Sequence, residues 1–171
     1  MAADKASTVA VEVQRVAGAT WLPTDESFER WVKAAFNAAE LPDNPPAEAG
    51  EMTVRLVGLE EGTALNTEWR HKAGPTNVLA FPGPTPHTGV AGQPVEYGDL
   101  VICLPVVEQE ATDQHKERID HLAHLVVHGT LHLLGYTHEA EPDAARMEAL
   151  ETRVLAGLDI ADPYASNGAP H

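Results

Sequence analysis

The run His128-Gly129-Thr130-Leu131-His132-Leu133-Leu134-Gly135-Tyr136-Thr137-His138 concentrates three imidazoles in one short stretch. On a helix, His128 and His132 share one face a single turn apart and reach one ion together. Gly135 lets the chain leave that helix through a backbone conformation that a Cβ disfavours, and the turn returns His138 to the same point. Three nitrogen ligands with no fourth in the run describe a catalytic zinc site, one Zn2+ per chain, with a position left for water. The spacing is that of the long metalloprotease signature H-E-x-x-H-x-x-G-x-x-H, but Gly129 stands where those enzymes carry their glutamate base. A peptidase built here would keep its metal and lose its base. A histidine-lined helix face without metal is the plain alternative, and three histidines at this spacing argue against it. Gly129 also suggests a hypothesis, that a missing side chain gives a bulky nucleotide access to the metal.

His121 and His124 extend the stripe towards the N-terminus of the helix. His124 is one turn from a ligand, about 5.4 Å along the axis, so support of the site or stacking on a base suits it better than ligation. His121 is expected in solvent.

The elements that must position these groups follow from periodicity. Val9, Val11 and Val13 alternate as a strand over 8–13. Thr24 or Ser27 caps an amphipathic helix carrying Phe28, Trp31, Val32, Ala35, Phe36 and Ala39. A proline-rich loop, 41–50, leads to a strand through Met52, Val54 and Leu56. A short helix over about 63–70 ends at Arg70 before Pro75-Thr76, and Asn77–Phe81 reads as a strand stopped by Pro82. The Pro/Gly-rich stretch 82–97 is expected to be a mobile loop without chemistry. Asp99–Leu104 is an apolar run that suits a strand buried on both faces. A central helix over about 112–134 carries the histidines, and a last helix runs from Pro142 to near Gly157. The expected fold is α/β, a single domain over 7–164 with a small mixed sheet of about four strands flanked by helices. Residues 1–6 and 165–171 are expected to be flexible ends.

At 171 residues and 43% hydrophobic content the chain suits one globular core. No apolar run is long enough to span a membrane, and the first residues lack the layout of a secretory signal. The single Cys103 forms no internal disulfide and reads as a small core residue, so the cytoplasm is the default compartment. A net charge of −15 argues against tight non-specific nucleic-acid binding but not against a local site. The few cations cluster at Arg70-His71-Lys72 and at Lys116 with Arg118.

Four separated motifs resemble the YbeY endoribonuclease family of bacterial rRNA maturation factors. They are His128–His138, Leu65–Lys72 followed by Pro75–Pro82, Gly98–Cys103, and Asp162-Pro163-Tyr164, in the family's order over roughly 7–164. The resemblance implies a metal-dependent endoribonuclease with a preference for single-stranded RNA, acting in 3′-end maturation of small-subunit rRNA and in ribosome quality control. Its implied partners are single-stranded RNA or rRNA and the small ribosomal subunit, with ribosomal proteins or a GTPase as candidate protein partners, no membrane, and a monomeric state. The metal-binding histidines carry over onto His128, His132 and His138, and the catalytic arginine onto Arg70. Thr137 departs from the family's usual Asp, Ala80 from a common Ser, and Ala73-Gly74 from a more polar pair.

Within that reading, the Arg70 guanidinium answers the charge that builds on the non-bridging oxygens of a phosphodiester. Its structural alternative is an ion pair with Glu61 or Glu68. The general base stays open between metal hydroxide, Glu139, Asp99 and the 2′-hydroxyl of the substrate. Lys72, Asp99, His124 and Glu139 are candidates for supporting or substrate contacts. A metal-braced ribosome assembly factor without catalysis is the competing function, and a zinc peptidase a more distant one.

Overall fold

The computed structural model describes residues 9–39, 50–72, 74–83, 95–136 and 142–164. The ends assigned to 1–6 and 165–171, most of the 82–97 loop, and Thr137, His138 and Glu139 lie outside them. The described elements are β1 (Val9–Arg15), α1 (Asp25–Ala38), β2 (Gly50–Val57), α2 (Leu59–Arg70), β3 (Val78–Pro82), β4 (Val95–Cys103), α3 (Leu104–Asp113), α4 (Arg118–Leu133) and α5 (Asp143–Gly157). The sheet order is β1-β2-β4-β3, with β1, β2 and β4 parallel and β3 antiparallel to β4. This is the mixed four-stranded α/β sheet expected. No helix among the described residues is long and apolar enough to cross a membrane.

Strand alternation sorts the side chains into two cores. Met52, Val54 and Leu56 of β2 and Leu100 and Ile102 of β4 join Phe28, Trp31, Val32 and Phe36 of α1 and the apolar face of α4 in the main core. Val57, Leu79, Val101 and Cys103 face the other way, towards Leu65 of α2. Cys103 is therefore the core residue its sequence context suggests, and burial pushes its thiol pKa up. Gly62 lets α2 sit close on β4, since a Cβ there would lie 3.0 Å from Cys103 Sγ.

Several boundaries differ from the sequence reading. The helix at 63–70 begins earlier, at Leu59, and β4 begins at Val95, inside the stretch expected to be loop. Thr24 occupies the N-cap position of α1 without a side-chain capping bond. The expected central helix over 112–134 begins only at Arg118, and Thr112 and Asp113 instead close a separate helix, α3, that the sequence reading did not anticipate. The chain turns at Gln114-His115, where His115 adopts φ 57°, and Lys116 N–H donates to Ala111 O at 2.9 Å. No Gly or Pro marks this break, so periodicity runs straight through it. Its consequence is that α3 folds back against α4.

Candidate active site

The histidine helix α4 lies under the edge strand β3, and the space between them is a cleft of about 450 Å³. That volume is within the range of small-ligand sites, about 300–1,000 Å³. Val78, Ala80 and Pro82 line it from β3, and Leu125, Gly129, His124, His128 and His132 from α4. Arg70 enters from the end of α2 and Tyr164 from the turn after α5. Residues separated by about ninety positions in the chain thus share one cavity.

Arg70 is placed by the turn that follows it. His71 caps α2 in the left-handed region, φ 57°. Buried Asn66 donates from Nδ2 to Gly74 O at 2.8 Å, and Thr67 Oγ1 donates to Lys72 O at 3.1 Å. The guanidinium stays exposed and makes no ion pair with any described residue. Glu61, the partner proposed for a purely structural Arg70, is taken by Arg55 at 2.6 Å. Lys72 is exposed and does not line the cleft. Asp99 lies in a separate groove with Glu12, Glu51 and Glu96, away from the histidines.

His128 and His132 stand one turn apart with ring centroids 4.7 Å apart. Behind them is a carboxylate that the sequence reading passed over, although it interrupts the apolar stripe of α5 formed by Met147, Leu150, Val154 and Leu155. Glu151 is completely buried. His128 Nδ1 lies 2.5 Å from Glu151 Oε2, and His124 Nε2 lies 2.9 Å from Oε1. The Tyr164 hydroxyl donates to the same Oε1. Burial pushes the Glu151 pKa up, but the bonds from His124 and His128, the His128 charge and the Tyr164 hydroxyl outweigh it and bring the value down to about 2. The group is thus a carboxylate with acceptor capacity only, and both imidazoles must face it with N–H. Nδ1–H on His128 makes Nε2 the nitrogen that this ring can offer to an ion. His124 commits Nε2–H in the same way. Its Nδ1 is buried and has no hydrogen-bond partner among the described residues, and burial lowers its pKa despite Glu151.

His124, His128 and Glu151 place ligand atoms within 4.8 Å of one another, close enough to hold a metal ion. The donor chemistry fits a divalent transition metal: imidazoles on one helix face, with a buried carboxylate setting the tautomer of one. His124, expected as a supporting group, is thus also placed where it could contribute a ligand atom. His121 corrects its expectation of solvent exposure. It is buried, with Nε2 2.8 Å from Glu110 Oε1, because the fold-back of α3 brings Glu110 onto it. Asn77 Nδ2 donates to the same Glu110 oxygen at 3.1 Å, which connects the cleft wall to this second carboxylate. Lys116, read as part of a basic cluster, is half-buried, and burial lowers its pKa while Glu110 and Asp162 raise it.

Gly129 is explained by packing. A Cβ there would lie 2.6 Å from Leu100 Cδ2, and Leu100 is fully buried. A side chain at 129 would therefore require Leu100 to shift.

The family model for Endoribonuclease YbeY matches residues 18–159. The chain belongs to the YbeY endoribonuclease family. A relative from Alkalilimnicola ehrlichii, named endoribonuclease YbeY, is 51% identical over 164 residues, covering 95% of each chain. One of the same name from Halorhodospira halophila is 45% identical, covering 92% of this chain and 97% of the relative. The solution structure of a Thermotoga maritima protein matches with a TM-score of 0.52 at 20% identity, covering 92% of this chain and 100% of that one. That likeness concerns the fold alone. In this YbeY-family chain, Arg70, His124, His128 and His132 line a single cleft.

Proposed function

We propose that this protein is a zinc-dependent endoribonuclease that hydrolyses phosphodiester bonds of single-stranded RNA. The observation that carries the reading is that Arg70 and the His128–His132 pair, on different helices, line the same cleft. His128 and His132, with His138, would hold the ion through neutral imidazole nitrogens. When bound, zinc supplies Lewis acidity and a water activated near neutral pH. Glu151, bonded to His128 Nδ1, would leave Nε2 as the nitrogen this ring has available for an ion. Arg70 binds the phosphate through two parallel N–H donors and stabilises the charge that develops on its oxygens. A lysine would offer a point charge without that fork. Asp99, which sits in another groove, has no place in this arrangement.

In the cell the reading extends to 3′-end maturation of small-subunit rRNA and ribosome quality control in the cytoplasm, by a monomer acting on the small ribosomal subunit. The net charge of −15 favours RNA presented by the ribosome or a protein partner over capture by long-range attraction.

The test is metal content by elemental analysis on purified wild type and His128→Ala, with single-stranded RNA cleavage on the same samples. About one zinc per chain, lost together with cleavage in the variant, is expected. Zinc without cleavage would favour an assembly factor braced by metal, and absence of metal would overturn the reading.

A further inference from the structure

Five large apolar side chains stand exposed among the described residues: Val16, Leu59, Trp69, Ile119 and Tyr164. Of these, only Tyr164 lines the cleft. The residue is 44% exposed, yet it is held from three directions. Its backbone N–H donates to Asp162 Oδ1 at 2.8 Å, and Thr152 Oγ1 donates to the same oxygen at 3.2 Å, which ties the turn to α5. Its hydroxyl is anchored on buried Glu151. Its ring meets His124 edge to face, with centroids 5.4 Å apart and planes at 87°. An aromatic surface fixed in this way gives up little further conformational entropy when a ligand covers it.

The other polar groups of the cleft answer the sugar-phosphate chain. Arg70 suits a phosphate, and the histidines suit the ion and the scissile bond. Tyr164 is the one carbocyclic aromatic ring among the described residues that line the cleft. We propose that the Tyr164 ring is the stacking platform for an unpaired nucleobase next to the scissile phosphate. This deepens the RNA-cleaving reading and rests on it. A base inside a duplex has both faces covered by its neighbours, so a platform beside the reacting phosphate favours single strands without reading sequence. The hydroxyl and the ring then have separate tasks, one holding Glu151 and the other holding substrate.

The test separates those tasks. Zinc-loaded wild type, Tyr164→Phe, Tyr164→Leu and Tyr164→Trp are titrated at low salt against a fluorescein-labelled, 2′-O-methylated single-stranded RNA of about ten nucleotides, read by anisotropy. Metal content and melting temperature are measured for each protein. Tyr164→Phe and Tyr164→Trp are expected to bind close to wild type. Tyr164→Leu is expected to bind about 5- to 150-fold more weakly while keeping its metal. Trp69→Leu, an exposed aromatic outside the cleft, is expected to bind as wild type does. Tyr164→Leu binding as tightly as wild type would overturn the platform. So would equal losses in Tyr164→Phe and Tyr164→Leu, which would assign the effect to the hydroxyl. Metal-loaded wild type that binds no RNA would sink both this proposal and the RNA-cleaving reading, whereas loss confined to the ring variants bears on the platform alone.

Discussion

His128 Nδ1 lies 2.5 Å from Glu151 Oε2, joining the histidine helix to a carboxylate that comes 23 residues later in the chain. Glu151 has no exposure to solvent and gathers three donors, so one side chain holds His124, His128 and Tyr164 in register. Replacing it with glutamine puts an amide N–H₂ against imidazole N–H groups. Glu151→Gln is expected to weaken zinc affinity about 10- to 100-fold. Competition with a chromogenic chelator measures this. If Glu151 were itself a ligand, His124→Ala would lose metal and His132→Ala would keep it. The reverse order is expected.

Arg70 is exposed and forms no ion pair with a described residue, so its removal should leave the fold intact, within about 0.5 kcal/mol. Arg70→Ala is expected to keep zinc and lose about 10²- to 10³-fold in cleavage rate. Arg70→Lys should recover only part of that loss, because it restores charge without the two parallel donors. An Arg70→Ala protein that cleaves at the wild-type rate would exclude the phosphate role.

Gly129 and Leu100 should be energetically coupled. A Cβ at position 129 meets Leu100 Cδ2 at 2.6 Å, so Gly129→Ala is expected to cost about 1–3 kcal/mol through overpacking, offset by about 1 kcal/mol of helix propensity. In a Leu100→Ala background the clash disappears and the helix gain remains, so the same substitution should stabilise. A urea-denaturation cycle over the four proteins measures the coupling. Additive effects would mean that the glycine is present for another reason, such as nucleotide access.

Glu110 predicts acid sensitivity away from the metal site. The bond from His121, with further help from Asn77, holds its carboxyl below the usual range, against burial, which raises it. A carboxyl depressed in the folded state adds stability above its unfolded pKa of about 4.3, and that stability is lost as pH falls towards the folded value. Thermal melts from pH 6 to 3 should therefore fall less steeply for Glu110→Gln than for wild type, as an order-of-magnitude effect. Identical acid limbs would show that the Glu110–His121 contact carries no linkage.

The order of the strands, the helices other than α3, most of the core and the shared face of His128 and His132 were legible in the sequence, because they depend on local periodicity. Val9, Val11 and Val13 alternate, Phe28 to Phe36 repeat at helical spacing, and His128 and His132 fall on one face of any helix that contains them. The family motifs added Arg70, whose role no local pattern in this chain marks.

What only the tertiary structure decided concerns partners distant in sequence. Glu151 falls within the apolar stripe of α5 formed by Met147, Leu150, Val154 and Leu155, so its burial follows from periodicity, but only the packing of α5 against α4 decides that its carboxylate meets the imidazoles. His121 looks like a continuation of an exposed stripe until the turn at Gln114-His115 lays Glu110 against it. Gly129 looks like a lost catalytic residue until β4 places Leu100 above it. A sequence specifies which side chains share a helix face through the fixed geometry of the backbone. Which carboxylate meets which imidazole depends on how helices cross, and that is settled by packing across the whole core.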